Sequence, residues 1–148
     1  MKLKRAIGLS GIFLTGIIFL ACGEKPAEQI AFPTTCKAED DTKYVKITGY
    51  LTDDGSVFCS NIGGGRMECS FSLNEKADGG AKIGADIAQG TGANSVEEFG
   101  SSYKKEDLKI QDNSGGFVKV GDKVTLTGKY NALPDGSHCF LTVDKIEK

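Results

Sequence analysis

Tryptophan is absent and histidine occurs once, as His138, so any hydrolytic triad would have to be built around that one imidazole. No CxxC pair is present, and no Gly-Lys-Ser/Thr follows Gly63-Gly64-Gly65-Arg66, which removes the usual zinc-ribbon and P-loop signatures. Positive charge is not in excess, at 18 Lys+Arg against 20 Asp+Glu. No apolar run reaches the roughly 20 residues that cross a bilayer as a helix. Internal repeats and long low-complexity stretches are also missing. At 148 residues the chain has room for one domain with a single small core, which excludes a multi-domain enzyme.

Glycine, by contrast, is abundant. Twenty residues are glycine, about twice the usual share of ~7%, and this favours turns and short strands over long helices. Lys2, Lys4 and Arg5 precede an uncharged apolar run from Ala6 to Leu20, the arrangement of an export signal. Gly8, Ser10, Gly11, Thr15 and Gly16 interrupt that run and argue against a retained transmembrane helix.

The run ends in Phe19-Leu20-Ala21-Cys22, which resembles the lipobox of bacterial lipoproteins, with Phe19 where Leu is commoner. The resemblance implies diacylglyceryl transfer to Cys22, cleavage after Ala21 and acylation of the new amino terminus. Residues 1–21 are then a signal peptide and Cys22 is a membrane anchor. At about 0.8 kcal/mol per buried methylene, several acyl chains hold a protein on a membrane. The expected location is the cell envelope, lipid-anchored to a bacterial membrane. Residues 22–148 carry 15 basic and 20 acidic side chains, a net of −5. That field disfavours nucleic acid as a partner.

Setting Cys22 aside leaves Cys36, Cys59, Cys69 and Cys139, an even number in a small exported domain, which reads as two disulfides. Three pairings are possible. Strand neighbours joined by the glycine-rich loop would let Cys59 meet Cys69 and leave Cys36 for Cys139. A thiol metal site completed by His138 is the alternative, and an oxidising compartment argues against it. No metal and no cofactor is expected.

Residues 22–42, with Pro26 and Pro33 and no clear period, read as the lipidated cysteine and a flexible tether, and residues 43–148 as the folded domain. Val45, Ile47, Gly49 and Leu51 alternate with Lys46, Thr48 and Tyr50, the pattern of a strand buried on one face. A second strand places Met67, Cys69, Phe71 and Leu73 on one side, and a third runs through Ile83, Ala85 and Ile87. Ser95 and Glu98 have capping-box spacing ahead of Val96 and Phe99, which predicts a short helix stopped by Gly100. Fourth and fifth strands follow, with Val124, Leu126 and Gly128 inward in one and Cys139, Leu141 and Val143 in the other.

The segments Val120-Gly121-Asp122-Lys123-Val124-Thr125-Leu126-Thr127-Gly128-Lys129, Leu141-Thr142-Val143-Asp144-Lys145-Ile146-Glu147 and Tyr44-Val45-Lys46-Ile47-Thr48-Gly49-Tyr50-Leu51 resemble strands of bacterial OB-type domains. The resemblance covers residues 44–147. It implies an all-β fold with one short helix, a five-stranded OB-like Greek-key barrel. In such a barrel the loops Asp53–Arg66 and Asn131–His138 flank a ligand face, which makes Phe58, Arg66 and His138 the candidate ligand-binding residues.

Gly90-Thr91-Gly92-Ala93-Asn94-Ser95 could hold an anion at the predicted helix start, but a dinucleotide site would need a longer helix and a second βαβ unit. No catalytic residue is expected. Asp53-Asp54 and Glu97-Glu98 are adjacent pairs that point apart, and Asp135 beside His138 reads as turn chemistry. The reading is a membrane-anchored lipoprotein serving as a non-enzymatic binding or interaction module, with an envelope protein or glycan as partner. An OB-type module for oligonucleotide or oligosaccharide is the alternative, and a small enzyme using His138 is a third, weaker one.

Overall fold

The structure is a computed structural model and describes residues 25–33, 35–61 and 64–148. The lipobox, Cys22 and the export signal lie outside the described residues, as does Gly63. Among the described residues no helix is long and apolar enough to cross a membrane.

Nine strands form among the described residues: β1 (Glu28–Gln29), β2 (Tyr44–Thr52), β3 (Phe58–Ser60), β4 (Glu68–Lys76), β5 (Gly79–Ala88), β6 (Ile110–Gln111), β7 (Phe117–Val118), β8 (Lys123–Ala132) and β9 (Cys139–Glu147). Five of them close on themselves. β2 pairs antiparallel with β4, β4 with β5, β5 parallel with β9, β9 antiparallel with β8, and β8 with β2. This is the five-stranded, OB-like barrel expected from the sequence. Alternation places Val45, Ile47, Leu51, Leu73, Ile83, Ile87, Leu126 and Leu141 in a core where each is at most 1% exposed, and the β8–β9 register shift turns Ile146 into the same core.

Two glycines permit the closure. A Cβ on Gly49 would sit 2.5 Å from both the Asn74 carbonyl oxygen and Cζ of Phe32. On Gly128, at the bulge where the β8–β9 register shifts, it would sit 2.1 Å from the Thr142 carbonyl oxygen. Only a residue without a side chain lets these backbones approach so closely.

Both disulfides take the pairing that the hairpin argument favours. Cys59 and Cys69 face each other directly across β3 and β4, and Cys36 is joined to Cys139 at the start of β9. Their Cα atoms are 3.9 and 5.4 Å apart, respectively.

Three expectations are corrected. The segment read as a tether is docked at several of its described residues: β1 pairs in parallel with Val45 and Lys46, and Ile30, Phe32 and Cys36 pack against the core. The cause is an open edge. β4 reaches only Tyr50–Thr52 of β2, so the first half of β2 would expose unpaired backbone without β1.

The helix at Ser95–Phe99 does not form, and among the described residues the helical content is two single-turn 3-10 segments, Ala38–Asp40 and Lys105–Asp107. Ser95 Oγ donates back to the carbonyls of Gly92 (2.8 Å) and Gly90 (3.3 Å). The Val96 and Glu97 amides donate to Ala88 and Lys109 carbonyls, so neither is free for helical pairing. Residues 89–122 instead run through isolated bridges, a 3-10 turn and the small β6–β7 pair, and add the buried Val96, Leu108, Ile110 and Val118 to the core. Met67 precedes β4 rather than joining its inward face and is 39% exposed; its carbonyl takes the Gln89 amide.

Candidate functional site

Strand parity fixes which side chains face outward on β4, β5 and β9, because their neighbours fill the core. Ser70 and Ser72 on β4, Lys82, Gly84 and Asp86 on β5, and Phe140 and Thr142 on β9 share one outer surface. Register then sets them in rows. Phe58 faces Ser70, Ser70 faces Asp86, and Asp86 faces Thr142; one step along, Ser72, Gly84 and Phe140 align.

The polar groups on this surface are tied together. Ser70 donates to Asp86 (2.8 Å), and Asn131 donates to Thr142 Oγ1 (3.1 Å). At one margin Asp54 Oδ2 accepts from Ser72 Oγ (2.6 Å) and from Lys82 Nζ (3.1 Å). The Ser72 hydroxyl above all, helped by the Lys82 ammonium, holds the Asp54 carboxyl below the usual aspartate range. Gly84 forms a bare floor beside Phe140, whose Cβ would lie 3.0 Å from a Cβ placed on that glycine.

Aromatic groups flank the floor. Phe58 is 70% exposed on β3, and the ring of His138, just before β9, lies 6.1 Å from that of Phe140 on β9, at 32°. Three strand spacings separate the Phe58 edge from β9, roughly 15 Å at about 4.8 Å per strand. Of the four exposed large hydrophobic side chains among the described residues, Phe58 stands at the β3 margin of this surface and Leu133 in the loop beside His138, whereas Met67 is level with Gln89 at the other end of the strands.

The structure does not bring all three sequence candidates together. Phe58 stands at the margin of the floor and His138 near its other side. Arg66 is carried away on the β3–β4 turn, where it pairs with Glu68 at 3.6 Å. Glu68 faces Ala88 while His138 is level with Lys82, so Arg66 and His138 are roughly 25 Å apart along the strands at ~3.3 Å per residue. Phe140, Ser70 and Asp86 were missed, although alternation with Cys139 and Leu141 already marks Phe140 as outward.

Asp135 does not orient His138. Its Oδ1 accepts from Ser137 Oγ (2.7 Å) and from the Ser137 amide (3.0 Å), an arrangement that closes the turn and holds this carboxyl low. The anion site imagined at Gly90–Ser95 loses its basis with the helix. Among the described residues no cluster of three or more His, Cys, Asp or Glu side chains is placed to hold a metal.

Comparison with protein families, with curated proteins and with solved structures finds no match for this chain.

Proposed function

We propose that this protein is a non-enzymatic binding module of the bacterial cell envelope, anchored through acylated Cys22, which takes its ligand across the outer face of β4, β5 and β9. The observation that carries the reading is the exposed Phe58 and the outward Phe140 flanking a floor of tied polar groups. A soluble surface with no partner gains nothing from clustering such side chains.

An oligosaccharide suits this surface better than an oligonucleotide. Sugar rings stack on aromatic faces and hydrogen-bond to carboxylate, hydroxyl and amide groups, which Asp86, Ser70 and Asn131 supply. A phosphate backbone needs a positive groove, whereas Lys82 is paired here with Asp54, and Asp86 adds a further negative charge in a chain that is acidic from residue 22 onward. An envelope protein is the second reading, favoured by Met67 and Leu133 as apolar contacts beyond the polar floor.

The test is an amide NMR titration of oxidised residues 22–148 carrying Cys22→Ser, against oligosaccharide and single-stranded oligonucleotide pools. Saturable shifts at Phe58, Ser70, Gly84 and Phe140 with sugars, lost in Phe58→Ala, support the reading. Shifts with oligonucleotides alone overturn the sugar assignment, and silence in both pools leaves the protein partner. Anchoring is tested separately by palmitate labelling, which must disappear in the full chain carrying Cys22→Ser. An activity abolished by His138→Ala would refute the non-enzymatic reading.

A further inference from the structure

The fourth exposed large hydrophobic side chain, Phe117, belongs to a different place. It lines a cavity of about 450 Å³ formed where the 3-10 turn Lys105–Asp107 and the segment leading into β6 meet β7 and Val120. That volume lies in the range of small-molecule sites, ~300 to 1,000 Å³. Leu108 and Val118, both buried, give the cavity an apolar wall, and Phe117, 54% exposed, stands at its edge.

The charge around this cavity departs from that of the rest of the domain. Lys105, Lys109 and Lys119 border it against the single acid Glu106. Lys105 is held by Asp53 (3.0 Å) and Lys109 by Glu97 (3.4 Å). Lys119 makes no ion pair within 4 Å among the described residues, although its charge helps to hold the nearby Asp122 carboxyl below the usual aspartate range. The neighbouring Asp122 carboxylate is engaged by Lys148 (2.7 Å) and by the backbone amide of Lys119 itself (2.8 Å). An exposed ammonium thus stands beside a concave apolar surface in an acidic chain.

We infer that this cavity binds a small amphipathic carboxylate of the medium-chain fatty acid type, with its chain on Leu108, Phe117 and Val118 and its head at Lys119. Charge complementarity selects an anion, and the apolar wall selects a hydrocarbon body over a small hydrophilic ion. Concavity selects a single molecule over a bilayer surface, which would cover Phe117 without filling the space beneath it. The inference is independent of the β4–β5–β9 face.

The experiment titrates oxidised residues 22–148 carrying Cys22→Ser with decanoate below its micelle concentration, followed by amide NMR. Decyltrimethylammonium, acetate and anionic lipid vesicles are run in parallel. Saturable shifts confined to residues 105–109 and 117–120 are expected with decanoate. Lys119→Glu and, separately, Phe117→Ser should each weaken binding by about tenfold or more, as the loss of a charge-assisted contact or of an apolar wall implies. Both positions are exposed, and an unchanged spectrum elsewhere verifies each fold. Absence of saturation at millimolar decanoate, equal affinity for the cationic amphiphile or for acetate, retention of binding in both variants, or shifts with vesicles alone would each overturn the inference.

Discussion

Removing each disulfide in turn should cost unequal amounts, and the difference can be worked from the chain. Cys36–Cys139 closes a sequence separation of 103 residues and Cys59–Cys69 one of 10. Loop-closure entropy then assigns about 4.7 kcal/mol to the long bridge and about 2.7 kcal/mol to the short one at room temperature. The packing losses nearly cancel in the comparison. Each bridge has one buried member, Cys139 or Cys69, and one half-buried member, Cys36 or Cys59. Chemical denaturation of Cys36→Ala/Cys139→Ala and of Cys59→Ala/Cys69→Ala should therefore show the first pair less stable than the second by about 2 kcal/mol. Equal losses, or a larger loss from the short bridge, would refute the argument that these bonds act chiefly by restraining the unfolded chain.

Gly128→Ala should destabilise by about 3 kcal/mol or more, because its Cβ would press on a backbone oxygen at the bulge, whereas Gly90→Ala, with open space around it, should change the thermal midpoint little. Tyr103→Phe removes the hydroxyl that accepts the buried Val57 amide and should cost about 1 to 3 kcal/mol in urea titrations. The carboxyls of Asp54, Asp112, Asp122 and Asp135 are all held below the ordinary aspartate value, chiefly by Ser72, Ser114, Lys148 and Ser137 respectively. Below about pH 4 the unfolded chain binds protons that the native carboxylates still refuse. Their contribution is thus fully present at neutral pH and is lost as pH falls through the native values. Urea midpoints should be level from neutrality to about pH 5 and decline below that, less steeply in Asp54→Asn.

Much of the barrel was legible because burial on one face writes a period of two into the sequence. Val45 to Leu51, Ile83 to Ile87 and Cys139 to Val143 read correctly for that reason, and the cysteine pairing followed from the hairpin that Cys59 and Cys69 bracket. A two-residue parallel strand leaves no such period, so Glu28 and Gln29 looked like tether. At Ser95 the capping-box spacing was real but local, and the Val96 and Glu97 amides found partners on distant carbonyls. Phe58 was identified from its loop. Arg66 and His138 seemed close to one another because the register relating β4, β5 and β9 cannot be read from spacing alone.

The parallel seam between β5 and β9 also orders events in time. Before it forms, β4 with β5 and β8 with β9 can exist as two separate antiparallel hairpins, each able to assemble in roughly 1 to 10 μs. Residues 89–122 join them, and the seam must bring Gly84 beside Phe140 across that whole connection. Non-local pairing of this kind is slow. Until it is complete, β5 and β9 both present open edges to any neighbouring chain, so the yield of refolding should fall with protein concentration.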